Sequence, residues 1–130
     1  MTNQELAELY RAHLSEEGFS PKIDSDGDVI FKFEGRSHFI SVNAEDENFF
    51  RLIFPNFWPI ENEDERKKVN AAALQATAKT KVAKIFPVKD NVCASIEMFC
   101  SPPEVFKAVL TRSLNALRAG VENFREGMQD

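Results

Sequence analysis

DVIFKFEGRSHFISVNAEDENFFRLIFP, the stretch from Asp28 to Pro55, decides the fold of this 130-residue chain. It contains three short apolar runs, VIFKF, HFISV and FFRLIF, which are separated by EGR and by the polar connection NAEDEN. Runs of this length, rich in β-branched and aromatic residues that repeat every second position, are typical of β-strands. Because the connections are short, we predict three consecutive antiparallel strands that form a meander.

The alternation places apolar side chains on both faces of the predicted sheet. Residues such as Phe31 point to one face, and Ile30, Phe39, Phe49 and Ile53 point to the other. A sheet face that contacts water normally carries polar side chains. We therefore expect either that helices cover both faces or that the second face contacts another chain, and we favour a contact with another chain.

The segments on either side of the meander predict two helices and a short edge strand. Residues 2–17 form an amphipathic helix that begins with a capping box of Thr2 and Glu5. Residues 19–23 lead into the sheet as a possible edge strand. Asn62 caps a second helix, which has an acidic first turn and runs to about Thr80.

The C-terminal half predicts a hairpin and a long helix. KVAKIFPV and NVCASIEMF read as two strands joined by a turn at residues 89–91. Ser101 is expected to open the last helix, with Glu104 closing a capping box and one apolar stripe running from Phe106 to Phe124. The predicted fold is therefore α+β: an antiparallel sheet from a meander and a hairpin, with N-terminal, central and C-terminal helices. The element order is α-β-β-β(-β)-α-β-β-α, in a single domain of residues 1–130.

Composition argues against several classes of function. The net charge is −5, so a phosphate backbone would repel the protein, and we expect no nucleic-acid partner. No signal peptide or run of membrane-spanning length is seen, so we expect no membrane partner and a cytoplasmic location. Cys93 and Cys100 would be about 23 Å apart along one strand, too far for a disulfide. Two free thiols fit a reducing compartment.

The sequence shows no catalytic, cofactor-binding or metal-binding set. Residues 24–28, DSDGD, resemble the start of a calcium loop but lack its glycine at position six and its glutamate at position twelve, so we interpret them as a turn. Cys100 precedes a helix N-terminus, a place that lowers the pKa of a thiol. An enzymatic or small-molecule site would need convergent polar groups, for which His38, Arg51 and Glu97 are the candidates.

The loop PNFWPI, residues 55–60, carries the other candidate interaction residues. Phe57 and Trp58 lie between two prolines. If both rings are exposed they would anchor a partner, because large aromatic side chains dominate interface energetics. The alternative is that the loop closes one end of the core. The candidate partner or dimer interface is therefore Ile30, Phe39, Phe49, Ile53, Phe57 and Trp58.

The chain resembles the YbjN-like family, whose fold is similar to that of the type III secretion chaperones. The resemblance covers residues 6–124 and rests on the order of elements, on DGDVIFKFEGRSHFISVN with the Phe-rich strand after it, and on a polar helix with Asn70 before the KVAKIFPVKDNVCASIEMF hairpin. It implies a small, often dimeric, non-enzymatic protein with a chaperone-like or regulatory role. It supplies no catalytic residue to carry over.

We therefore expect a non-enzymatic homodimer that binds a protein or peptide client as a chaperone or regulatory adaptor, without a cofactor. The alternative class is a small-molecule-binding domain or an enzyme whose pocket does not show in the sequence. A structural subunit of a larger assembly is a third possibility, which sequence does not separate from the first.

Overall fold

The structure, a computed structural model, describes residues 1–129 and confirms the predicted α+β class. Three α-helices and six β-strands follow one another in the predicted order, with short 3-10 turns at Ala44–Asp46 and Pro103–Val105. Within these residues, no helix combines the length and the apolarity needed to cross a membrane. The elements are α1 Asn3–Glu16, β1 Lys22–Ile23, β2 Val29–Phe33, β3 Arg36–Ile40, β4 Phe49–Phe54, α2 Glu63–Lys79, β5 Ala83–Val88, β6 Asn91–Phe99 and α3 Phe106–Gln129.

All six strands belong to one antiparallel sheet with the order β1-β2-β3-β4-β6-β5. The meander and the hairpin are joined by β4 and β6, which pair from Phe49 opposite Phe99 to Phe54 opposite Ala94. The hairpin turn contains only Lys89 and Asp90, because Asn91 already pairs with Val88. The predicted three-residue turn is therefore one residue too long.

The three helices lie on one face of the sheet. Their buried side chains and those of the inward-facing strand positions form one apolar cluster. In α1, the ring of Tyr10 lies 4.8 Å from that of Phe106 and 6.2 Å from that of Phe50. In α3, a Cβ added at Gly120 would lie 3.0 Å from the Cβ of Ala83, so this helix approaches β5 closely.

Two predicted helix caps are confirmed and a third is wrong. The Asn62 side chain accepts a hydrogen bond from the Glu65 amide at 2.9 Å and caps α2. The Thr2 hydroxyl accepts a hydrogen bond from the Glu5 amide, and the Glu5 carboxylate accepts one from the Thr2 amide, so the capping box of α1 is complete. The Ser101 and Glu104 box does not form, because residues 103–105 make a 3-10 turn and the helix begins only at Phe106.

The outer edge of β5 is closed by a side chain from α2. The Thr77 hydroxyl accepts a hydrogen bond from the amide of Ile85 at 2.9 Å and donates one to the carbonyl of Ile85 at 3.3 Å. Pro87 removes a further donor from this strand. Both devices hinder the addition of another strand at this edge.

Candidate protein-interaction face

The sheet face opposite the helices, here called the outer face, carries no helix within residues 1–129. Ile30 lies opposite Phe39, and Phe39 lies opposite Ile53, so these three side chains form a row across β2, β3 and β4. Ile30 and Phe39 are half-buried, and Ile53 is only 5% exposed. None of the three belongs to the cluster beneath the helices. Of the two expectations for this face, cover by helices is therefore wrong.

A second apolar group on the outer face is the pair Phe49 and Phe99. The two residues face each other across β4 and β6, and their ring centroids are 6.0 Å apart. Phe99 is 80% exposed, the most exposed large apolar side chain within residues 1–129. The sequence interpretation named Phe49 and missed Phe99. Its signal was present, because Cys93, Ser95 and Glu97 alternate along β6 and Phe99 continues that series.

A polar cluster separates the two apolar groups. The Glu97 carboxylate accepts hydrogen bonds from the Ser95 hydroxyl at 2.6 Å and from the Lys84 ammonium at 3.0 Å. The Arg51 Nε lies 3.8 Å from the same carboxylate oxygen. Partial burial alone would raise the pKa of Glu97, but these donors lower it below its ordinary value. The outer face thus combines apolar surface with fixed charges of both signs.

Phe57 is not a surface anchor. It is 6% exposed, stacks on Phe54 at 5.3 Å and meets the ring of Phe124 edge-on at 5.6 Å. Its amide donates to the carbonyl of Val92, which holds the loop over the end of the core. Trp58 is half-buried and packs edge-on against Phe124 at 5.5 Å. The loop therefore closes the core, and neither aromatic ring lies on the outer face.

The three polar residues of the alternative site do not converge. Arg51 and Glu97 are neighbours on the outer face. His38 points to the opposite side of the sheet, where its ring stacks on Phe54 at 4.4 Å. Strand parity separates them, because residues on the two faces of a sheet cannot meet.

Both cysteines are buried free thiols, at different places. Cys93 lies on β6 with the outer-face side chains, whereas Cys100 belongs to the apolar cluster beneath the helices. Burial raises the pKa of the Cys100 thiol. The helix N-terminus that the sequence suggested beside Cys100 lies further along the chain, since the helix begins only at Phe106, and the thiol is packed in the core.

The aspartate-rich segment is a turn between β1 and β2. Asp24 accepts hydrogen bonds from the amides of Asp26 and Asp28, and Asp28 accepts one from the amide of Val42. These carboxylates are used to fix the backbone. In the part of the chain that the structure describes, no three His, Cys, Asp or Glu side chains are grouped as metal ligands would be.

Comparison of the chain with family models, with curated proteins and with solved structures gives no match. The resemblance to the YbjN-like family and the type III secretion chaperones therefore stays a prediction.

Proposed function

We propose that this protein is a cytoplasmic, non-enzymatic protein-binding module that acts as a homodimer, in a chaperone-like or regulatory adaptor role. The observation that carries the proposal is the outer face, which has an apolar row and an aromatic pair whose Phe99 is 80% exposed, but no covering helix. Large exposed apolar patches on proteins usually mark interaction sites. The occupant to which we commit is a second copy of the chain.

Apolar burial favours such a pairing. In a two-fold symmetric interface each residue is buried once in each copy, so every contribution counts twice. Burying a Phe side chain contributes about 1.5–3 kcal/mol, and Phe99 is 80% exposed in the single chain. Phe39, Phe49 and Ile30 add partial contributions, because they are already half-buried.

The polar cluster is compatible with self-pairing. It holds Arg51 and Lys84 beside Glu97, so both signs of charge are present on one face. Rotation about a two-fold axis can therefore match a cation of one copy with the carboxylate of the other. This matching fixes the relative orientation of two apolar surfaces more than it adds affinity.

We expect a client to bind the part of the outer face that the dimer interface leaves exposed. Lys22 and Lys32 lie on the outer-face side of β1 and β2, at the margin of the apolar row, and both are exposed. Cationic side chains at the rim of an apolar surface suit a peptide that carries acidic residues. The resemblance to chaperones supports a peptide client over a small ligand for this surface.

The test compares two aspartate substitutions at similarly exposed apolar positions. Phe99 on the outer face is 80% exposed and Leu74 on α2, on the helical side, is 74% exposed. Sedimentation equilibrium should show that Phe99→Asp weakens dimerisation about a thousandfold, because about 2 kcal/mol is lost in each copy. Leu74→Asp should leave the dimer unchanged. A monomeric wild-type protein, or equal effects of the two substitutions, would remove the proposal.

A second measurement addresses the client. Native mass spectrometry of the protein purified gently from its own cells should give the mass of two chains together with a second polypeptide. The same preparation of Phe99→Asp should give single chains. A second polypeptide that stays bound at equal stoichiometry to Phe99→Asp would show that the client uses another surface.

A further inference from the structure

A cleft of about 320 Å³ lies on the helical side of the sheet, between the β2–β3 hairpin and the C-terminal half of α3. Small-molecule sites are typically concave and mostly apolar, with a few polar groups that orient the ligand. This cleft combines an apolar floor with a rim of charged side chains. Its apolar floor consists of Phe33, Phe54, Leu117 and Val121.

The charged groups around the cleft are mainly basic. Arg36, Arg118 and Arg125 line it, together with Glu34 and Glu122. The lining therefore carries one net positive charge, in a chain whose net charge is −5. A local excess of cations in a cleft with apolar walls concentrates anions there.

Arg36 and Arg125 have guanidinium N–H groups that are available to a ligand. Arg118 is engaged, since it donates to Glu34 at 3.1 Å and to Asn115 at 3.0 Å. Arg36 lies over the ring of Phe54, with 5.3 Å between its guanidinium carbon and the ring centroid. Within residues 1–129 neither Arg36 nor Arg125 forms an ion pair. A guanidinium in this condition can bind a carboxylate through two parallel hydrogen bonds.

His38 provides a neutral acceptor at the same place. The side chain is 4% exposed, and its Nδ1 lies 2.9 Å from the carbonyl oxygen of Arg36. A carbonyl only accepts, so Nδ1 carries the proton and Nε2 is left as an acceptor. Among residues 1–129, Nε2 has no hydrogen-bond partner. The buried side-chain nitrogens and oxygens without a partner in residues 1–129 belong to His13 and Ser113 and do not include this Nε2, so it is accessible from the cleft to a ligand that brings its own O–H or N–H donor.

We infer that this cleft binds a small organic acid: a carboxylate on Arg36 and Arg125, an aromatic or branched apolar body on the floor, and a hydroxyl or amino group that donates to His38. The inference does not rest on the proposed function, because the cleft and the outer face lie on opposite sides of the sheet. The molecule would then combine a protein-binding surface with a ligand site.

The test is a titration of the full chain followed by amide NMR shifts. The probes are phenylacetate, mandelate, which adds a hydroxyl, and the neutral phenylacetamide. Both acids should give saturable shifts around the β2–β3 hairpin and α3. They should bind at least about tenfold more tightly than the amide, a difference of about 1.4 kcal/mol. Mandelate should bind more tightly than phenylacetate.

Matched arginine variants complete the test. Arg36→Gln should weaken binding of the acids about tenfold or more, since a hydrogen bond to a charged group is lost. Arg112→Gln, an exposed arginine of α3 outside the cleft, should leave binding unchanged. The inference is overturned if no acid gives saturable shifts by about 20 mM, if phenylacetamide binds equally well, or if both variants bind alike.

Discussion

Replacement of Thr77 by valine tests whether this side chain prevents another strand from pairing with the exposed edge of β5. Valine has nearly the same shape as threonine but lacks the hydroxyl, so packing is kept and hydrogen bonding is lost. The wild-type hydroxyl satisfies both the amide and the carbonyl of Ile85, at 2.9 and 3.3 Å. Thr77 is half-buried and Ile85 is buried, so water replaces these partners only in part.

The expected cost follows from the two bonds. A neutral hydrogen bond contributes about 1 kcal/mol net, and a buried group left without a partner costs about 1–3 kcal/mol. Thr77→Val should therefore lower the free energy of unfolding by about 2 kcal/mol, measured by urea denaturation at unchanged m-value. The variant should also aggregate more readily on partial unfolding, because the edge of β5 is open to another strand.

Thr77→Ser is the matched control, since it keeps the hydroxyl and removes a methyl group. It should cost only about 0.8 kcal/mol, the value of one methylene. If the valine variant is as stable as wild type, or if serine is the more damaging change, the side chain of Thr77 does not close this edge.

Three further predictions concern other parts of the chain. Thr2→Ala should lower the free energy of unfolding by about 1 kcal/mol, because the capping box of α1 is lost; urea denaturation measures it, and an unchanged midpoint would contradict the cap. Gly120→Ala should destabilise the protein by about 1–3 kcal/mol, although alanine has the better helix propensity. The new Cβ would lie 3.0 Å from the Cβ of Ala83, and an alanine side chain cannot move away by changing its rotamer. A higher thermal midpoint would refute this. Burial lowers the pKa of His38, and the Arg36 charge lowers it further. The hydrogen bond to the Arg36 carbonyl and the charge of Glu34 oppose this shift only in part. The unfolded chain therefore binds the proton more readily than the folded chain. Stability should then fall as the pH drops below about 6.5, by at most about 1.4 kcal/mol per pH unit from this group, and His38→Gln should flatten that slope.

The fold was predictable from sequence where the signals are local. The alternation in residues 28–55 gives strands and their faces, and Thr2 with Glu5 marks a helix start. The predicted cap at Ser101 is wrong because two prolines and a 3-10 turn separate the serine from the helix. The partner of β4 was not predictable either, since the hairpin sequence does not say which of its two strands faces the meander.

The candidate sites divide in the same way. The outer face follows from two-residue periodicity, and the same rule applied one step further along β6 would have found Phe99. The burial of Phe57 depends on Phe54, Val92 and Phe124, and only tertiary packing brings these residues to the loop. The cleft brings together Arg36 and Arg125, which are far apart in the sequence, so no local sequence pattern predicts it.

The most direct test of the central claim is a search for contacts between two copies of the chain. An equal mixture of 13C-labelled and unlabelled protein, observed by isotope-filtered NOE spectroscopy, reports only contacts from one chain to another. The methyl groups of Ile30, which is half-buried on the outer face, should show such contacts to aromatic rings of the second copy, while the methyls of Ile96 in the core and of exposed Leu74 should show none. Intermolecular contacts confined to Leu74, or the absence of any at millimolar protein, would contradict the assignment of the outer face as the interface.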